Sequence, residues 1–367
     1  YARTTGKIGA VLTTSGPGAT NLVTRVCNSY FDSIPVIFIT GQVATFRIRP
    51  SERLRQKGFQ ETDVISIFKS ITKYATQLKK AEDIKYVLQE AVHAALSGRM
   101  GPVLVDIPDD MQRVEIDPEK LHGFKPSSAQ ENATSDLSAV KDVFAAIRAA
   151  KRPILILGAG IRLTKTIPEA LRFAEYFRIP FLLTWGAMDI AEYSYELNMG
   201  GVGVCGPRGG NFAAQTSDLV VALGTRLSQM ITGGKQNLFA PYAKKMMADI
   251  DAEELSKFGP NDVVLNLKIQ CGLREFFAEC ERLYAHGEKD RFSEWRTMIN
   301  GWRRKYPVCQ QSNYERKDRV DAYVFIKELS KAAKEGDIIL TDAGGNLSQT
   351  MQAFEVKKGQ RLMSAWN

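Results

Sequence analysis

Residues 8–43, IGAVLTTSGPGATNLVTRVCNSYFDSIPVIFITGQV, decide the fold class of this chain. A short apolar run (Gly9–Thr13) meets two glycines around a proline. An apolar helical pattern follows over Thr20–Phe31, and then a second, continuously apolar run, Pro35–Thr40. Apolar runs without alternation are strands covered on both faces, and strands separated by helices make a parallel α/β sheet. The turn Thr14–Asn21 is tight, and its shape suits a phosphate, another chain, or its own packing.

The same style continues outward from this stretch. Ala81–Ser97 has helical periodicity and Pro102–Ile107 is another buried strand. Past Pro108 the pattern collapses into polar, turn-forming residues that read as a linker. A second α/β segment then runs through helix Leu137–Ala150, strand Pro153–Leu157, helix Ile167–Phe177 and strand Pro180–Thr184. It continues through the Gly-rich loop Met199–Gly210 and strands Leu219–Leu223 and Lys245–Ile250, with helical patterns on to Tyr284. After the polar stretch Asn313–Arg319, helix Tyr323–Lys334 and strand Asp337–Thr341 open a third segment. The expected divisions are 1–120, a linker 121–136, a central domain 137–300, a linker 301–320, and the start of a third domain at 321–367.

Composition narrows the function. With 367 residues, 44% hydrophobic and 25% charged, the chain is expected to be a soluble protein of two or three domains. The net charge of +8 is spread among acids, and the densest basic stretch, Arg47–Lys57, carries no interleaved aromatics, which argues against nucleic acid. No apolar run approaches a membrane span. The five cysteines have no C-x-x-C spacing, so neither a disulfide framework nor a zinc site is indicated, and a reduced, cytoplasmic setting fits. Of the three histidines, His93 lies in an apolar helical pattern and reads as packing. The chain begins without Met and stops at "GQRLMSAWN", so both ends read as cut through domains.

Four glycine turns fall at the carboxyl ends of predicted strands, where open α/β sheets bind ligands: Ser15–Asn21, Gly158–Gly160, Gly224–Arg226 and Asp342–Asn346. Glycine admits close backbone approach, and a following helix offers N–H groups to anionic oxygens. Any one of these turns is equally a tight strand-to-helix connection. "LGAG" lacks the third glycine of the dinucleotide fingerprint, which counts against a nicotinamide dehydrogenase. Arg99 and Arg226 stand where a guanidinium reaches a phosphate or makes a salt bridge.

The stretches 1–43, "GFQETDVISIFKSITKY" (58–74), "ALSGRMGPVLVDIPDDMQ" (95–112), "RPILILGAGI" (152–161), "LVVALGTRL" (219–227) and "FAPYAKKMMADIDAEEL" (239–255) closely resemble the thiamine-diphosphate enzymes of the acetolactate synthase type. The resemblance covers essentially the whole chain in order. It implies three α/β domains, each a parallel sheet flanked by helices: a pyrimidine-binding domain, a central domain and a diphosphate-binding domain, the first and third incomplete here. It implies decarboxylation of pyruvate and carboligation to a second 2-oxo acid, as in branched-chain amino acid biosynthesis. The thiazolium ring serves as the electron sink for the carbanion left by CO₂.

By the same resemblance Gln60 matches a glutamine beside the thiamine cofactor and Lys73 a lysine near the substrate channel. Gly344, Gly345 and Asn346 match contacts to the cofactor's diphosphate. Ser33, Arg99, Ala159, Thr184, Trp185, Gly200, Gly201, Val202, Gly203, Gly224, Thr225, Arg226, Asp249 and Ile250 match positions that contact FAD, a structural flavin in this family. The activating glutamate and the Mg2+ ligands would lie outside the chain, so the polypeptide as given is expected to be inactive, and no metal ligand is assigned within it. A homodimer or homotetramer and a regulatory subunit are the implied partners.

Some positions depart from the family pattern. Asp109 replaces a basic residue, Gly201–Val204 reads Gly-Val-Gly-Val, Ser228-Gln229-Met230 replaces Asp-Asp-Arg, and the loop before Gly58 is longer and strongly basic. These fall on flavin contacts and the substrate channel. They leave open a sister decarboxylase or carboligase on another 2-oxo acid, with Arg47–Lys57 binding an acidic substrate, or a non-catalytic nucleotide-binding homologue.

Overall fold

The computed structural model describes residues 1–126, 137–285 and 288–364. Most of the linker 121–136, the histidine at 286 and the last three residues of the third segment lie outside the described residues. The chain divides into two compact units, one within residues 1–133 and one within 134–366.

The first unit is built on four parallel strands, β1 (Gly9–Thr13), β2 (Val36–Gln42), β3 (Tyr74–Gln77) and β4 (Val103–Pro108), in the order β1-β2-β4-β3. The two-residue period of a strand sends successive side chains to opposite faces. Phe38 and Leu104 therefore join Val26, Val64 and Phe68 in one core layer. Their neighbours Ile37, Val103 and Val105 join Ala91 and Ala95 in the other. β4 is buried almost throughout, as its apolar run predicts. β1 is not: Leu12 keeps 73% of its surface, so this strand is covered on one face only.

Asp106 sits at the centre of this sheet and is fully buried. Thr40 Oγ1 donates to its Oδ1 at 2.6 Å, and Gln77 and Gln42 donate from Nε2 to its Oδ2 at 2.8 and 3.2 Å. One carboxylate thus ties together side chains of β2, β3 and β4. Burial raises its pKa, and the three donors only partly counter that.

The second unit carries a six-stranded parallel sheet in the order β10-β9-β8-β5-β6-β7. Its strands are β5 (Pro153–Leu157), β6 (Phe181–Leu183), β7 (Asn198–Gly201), β8 (Leu219–Leu223), β9 (Lys244–Asp249) and β10 (Leu267–Gln270). The chain progresses from β5 outward to β7, then returns to place β8 on the other side of β5. The carboxyl ends of β5 and β8 therefore form the switch-point crevice of an open α/β sheet. β5, β6 and β8 are wholly buried, and Phe144, Phe173, Phe177, Phe276 and Phe277 pack edge to face beneath the flanking helices.

A two-stranded parallel pair, β11 (Ile338–Leu340) and β12 (Arg361–Met363), completes this unit. Asp189, buried after β6, bonds it to the main sheet. Its carboxylate accepts from Arg162 at 3.1 Å, from Arg361 Nε at 2.6 Å and from the Leu362 N–H at 3.2 Å.

Removing this acceptor leaves the buried Thr40 hydroxyl and the half-buried Gln77 amide without it, while Gln42 keeps its bond to the Thr62 carbonyl at 2.7 Å. Asp106→Ala is expected to destabilise the first unit by about 3 kcal/mol in denaturant titration. The folded carboxyl keeps its proton to higher pH than the unfolded one, which titrates near pH ~4. The folded state therefore binds more protons at this group in that interval, so the contribution of Asp106 to stability is greatest at acid pH and is lost as pH rises through the folded pKa. Asp106→Asn flattens that slope; a slope unchanged by the substitution speaks against the assignment.

Candidate functional site

The Thr14–Asn21 turn stands at the carboxyl end of β1. Gly16 has φ +58°, and a Cβ built on it would lie 2.8 Å from the Gln60 carbonyl oxygen and 2.9 Å from the Gln60 Cβ. Gln60 itself has φ +62°, a conformation that costs a non-glycine residue energy and needs its surroundings to hold it. The two residues thus interlock, and among the described residues nothing hydrogen-bonds the Gln60 side-chain amide. The neighbouring Phe59 is 84% exposed.

Glu61 fixes this corner. Its carboxylate accepts the backbone N–H groups of Arg49 and Lys57 at 2.7 Å each and of Gly58 at 3.2 Å, with the Arg49 guanidinium 4.0 Å away. Burial pushes its pKa up, but these donors outweigh that and hold the carboxyl below its usual range. Behind it lies a cavity of about 280 Å³ lined by Gln42, Arg49, Glu52, Glu61, Asp63 and Gln77 among others.

Lys73 lies elsewhere. It precedes β3, its N–H donates to the Pro102 carbonyl, and its Nζ donates to the Ser97 carbonyl at 2.5 Å. Ser33 precedes β2, and Arg99 precedes β4 and donates from Nε to the Ser33 hydroxyl at 2.9 Å. These three residues therefore gather at the amino ends of the strands, opposite Gln60. The structure brings Ser33 and Arg99 together and keeps Gln60 and Lys73 apart within this unit. The Lys73 stem is crowded against Gly101 although the residue keeps an exposed surface, and that desolvation lowers its pKa to about 8.

In the second unit the glycine turns have a different cause from ligand approach. A Cβ at Gly158 would lie 2.5 Å from Thr225 Cβ and against the Gly224 carbonyl oxygen; one at Gly160 would lie 2.8 Å from Gly224 Cα. Gly224, at φ +60°, meets Gly160 in return. The Gly160 N–H donates to the Gly224 carbonyl at 3.0 Å. The β5 and β8 turns are closed backbone to backbone, so these glycines serve each other. Thr225 is buried, and Arg226 makes the salt bridge that was its alternative reading, with Glu254 at 3.9 Å.

Ala159, Trp185, Arg226, Asp249 and Ile250 keep partial exposure around this crevice, while Thr184 is buried. Gly201, Val202 and Gly203 form a loop against 228–231. Val204 N–H donates to the Met230 carbonyl at 2.8 Å, and a Cβ at Gly203 would strike that same carbonyl. Gly200, at φ +94°, faces open space.

The last glycine turn is unlike the others. Gly344, at φ +111°, caps the helix Gly345–Ala353; a Cβ there would meet nothing nearer than Asn346 Oδ1 at 3.6 Å, and one at Gly345 nothing within 4 Å. Gly344, Gly345 and Asn346 are all exposed. Cys205 Sγ, two residues past Gly203, lies 3.2 Å from Ser348 Oγ on that helix, so the Gly200–Gly203 loop and this turn are neighbours. Among the described residues no group of three or more His, Cys, Asp or Glu side chains could hold a metal ion, and no helix is long and apolar enough to cross a membrane.

These differences are measurable. Gly158→Ala is expected to cost about 3 kcal/mol or more, because backbone must move, whereas Gly345→Ala leaves the melting temperature unchanged or raises it. Equal losses for both would refute the distinction. At pH 8 an amine with a pKa near 8 is half deprotonated, against under ~1% for an ordinary lysine. Brief acylation followed by peptide mass mapping is expected to mark Lys73 well ahead of surface lysines.

Comparison with known proteins agrees with this architecture. Residues 1–67 match the model of the thiamine pyrophosphate enzyme N-terminal TPP binding domain, and residues 140–276 match that of the thiamine pyrophosphate enzyme central domain. The chain is 37% identical over 314 residues to the acetolactate synthase large subunit of Corynebacterium glutamicum, covering 84% of this chain and 48% of that one. It is 32% identical over 379 residues to a probable acetolactate synthase large subunit of Methanocaldococcus jannaschii, covering 100% and 61%. It is 31% identical over 344 residues to the acetolactate synthase isozyme 2 large subunit of Escherichia coli, covering 94% and 58%. The chain thus spans about half to three-fifths of the length of the curated relatives it matches. With both domains present in order on parallel α/β sheets, and with similarity to acetolactate synthase large subunits, this chain belongs to the thiamine pyrophosphate enzymes.

Proposed function

We propose that the full-length protein decarboxylates a 2-oxo acid with thiamine diphosphate and joins the product to a second 2-oxo acid. The observation that carries this reading is the ordered match to both thiamine-enzyme domains together with the acetolactate synthase large subunits. Thiamine diphosphate, when bound, supplies the electron sink for the carbanion left by loss of CO₂.

The chain's own residues have distinct parts in this reading. Gln60, held at positive φ against Gly16 and with an unengaged amide, orients polar groups beside the cofactor ring. Gly344, Gly345 and Asn346 receive the diphosphate: the turn has room that no side chain occupies, and a helix N-terminal end behind it favours negative charge. Lys73, with its amine near pKa 8, moves or holds a proton along a substrate path at the other end of the sheet.

The central crevice takes a flavin such as FAD, bounded by Ala159, Trp185, Arg226, Asp249 and Ile250, with Thr184, Thr225, Gly224 and Gly200–Gly203 as further contacts or supports. The closed β5 and β8 turns make the fit depend on those exposed side chains rather than on glycine N–H groups. Among the described residues no side-chain cluster offers a ligand set for magnesium. The three-domain division at 1–120, 137–300 and 321–367, assembly as a homodimer or homotetramer with a regulatory subunit, and a cytoplasmic location belong to the same proposal.

The test is an assay of the full-length protein for CO₂ release from pyruvate with thiamine diphosphate and Mg2+. Gln60→Ala is expected to lower kcat/KM by about 10- to 100-fold with the fold intact by circular dichroism. Absence of decarboxylation or carboligation with any 2-oxo acid rejects the reading.

A further inference from the structure

The segment Arg47–Gly58 is a closed surface loop rather than a loose one. Its neck is sealed at Gly58, where a Cβ would lie 3.0 Å from the Arg47 carbonyl oxygen and 3.1 Å from Val43 Cγ1. Its two arms are pinned to one carboxylate, since Glu61 accepts from Arg49 on one side and from Lys57 and Gly58 on the other. Arg49 braces the inside, donating to the Leu54 carbonyl at 3.3 Å and pairing with Asp63 at 3.5 Å. Lys57 Nζ is taken up by the Phe46 carbonyl at 2.7 Å, and the tip is a turn closed by Leu54 N–H to the Ser51 carbonyl.

This bracing sorts the loop's charges into two sets. Arg49 and Lys57 are spent on the loop itself. Arg53 and Arg55, at and just past the tip, are exposed and have no carboxylate partner among the described residues. In the wall of the cavity on the inner side three carboxylates, Glu52, Glu61 and Asp63, outnumber the one guanidinium of Arg49, which disfavours an anion there. An acidic ligand is therefore directed to the outer face of the loop, whose return arm runs back towards Gln60: Gln56, next to Arg55, donates from Nε2 to the Glu61 carbonyl at 3.1 Å.

We propose that this loop is a specificity element: Arg53 and Arg55 select a 2-oxo acid that carries a second acidic group, a carboxylate or phosphate, over a monoanionic one. The inference rests on the 2-oxo acid chemistry proposed above and names its substrate class. Bracing pre-orders the loop backbone, so binding need order only the two exposed arginine side chains. Because both groups are exposed, the preference weakens as salt screens it.

The experiment compares the full-length protein with its Arg53→Gln/Arg55→Gln variant, using pyruvate as donor and either 2-oxoglutarate or 2-oxobutyrate as acceptor. The ratio of kcat/KM for 2-oxoglutarate over 2-oxobutyrate is expected to fall at least about tenfold in the variant. A ratio within twofold of the parent overturns the proposal. Calorimetric binding of the same two acids, without turnover, runs in parallel at low and high salt. There the parent binds 2-oxoglutarate more tightly at low salt, and the variant or added salt removes the difference. If no 2-oxo acid is turned over, the enzymatic reading fails while the binding arm still decides the role of the loop. If the two acids bind the parent equally, or an oligonucleotide displaces 2-oxoglutarate at a lower concentration than phosphate does, the loop is not a small-acid selector and the proposal is rejected.

Discussion

A carboxylate removed from water must be given donors, and this molecule places one such carboxylate at each structurally critical joint. Asp106 collects side chains from three adjacent strands of the first sheet. Glu61 gathers both arms of the basic loop and so fixes where Gln60 stands. Asp189 fastens the last strand pair to the central sheet. In each case the satisfied carboxylate defines a geometry that an apolar residue of equal size would leave free, because hydrogen bonds have direction and hydrophobic contact does not.

The glycine turns illustrate how one residue type answers to two demands. At 158, 160 and 224 the absent side chains let two backbone turns touch; the N–H groups of Gly158 and Gly160 are consumed by that contact, and that of Gly224 by the Ala248 carbonyl. At 344 and 345 the absent side chains leave room that the protein itself does not fill. The first set builds the crevice; the second offers a place within reach of a ligand. Sequence spacing alone makes the two look identical, since both are a glycine pair after an apolar strand.

The fold was legible where burial is one-sided in its causes. β5 and β8 coincide with the uninterrupted apolar runs Pro153–Leu157 and Leu219–Leu223, and the helix Ile167–Phe177 with its periodicity. Four strands had no such mark. β3 reads Tyr-Ala-Thr-Gln, because its side chains are half-buried and Gln77 is spent on Asp106. β7 overlaps the start of a stretch read as Gly-rich loop, β10 is polar on its exposed positions, and β12 is three residues long. β1 broke the expectation of two covered faces. Among site residues, Gln60 and Lys73 were visible only through family likeness. That they stand at opposite ends of one sheet depends on strand direction, which one sequence does not display. The roles of Asp106 and Glu61 rest on partners 29 to 66 positions away or on loop closure, and no local pattern announces them.

The bond from Asp189 to Arg361 spans 172 positions of sequence. During synthesis at ~5–20 residues per second, Asp189 leaves the ribosome roughly 10–30 s before Arg361 does. Over that interval the central sheet can assemble around β5, β6 and β8, yet the aspartate has only Arg162 to neutralise it. The half-made unit must therefore keep that corner wet. Its final drying coincides with the arrival of β12, so this corner closes only after a strand made long after the central sheet has docked.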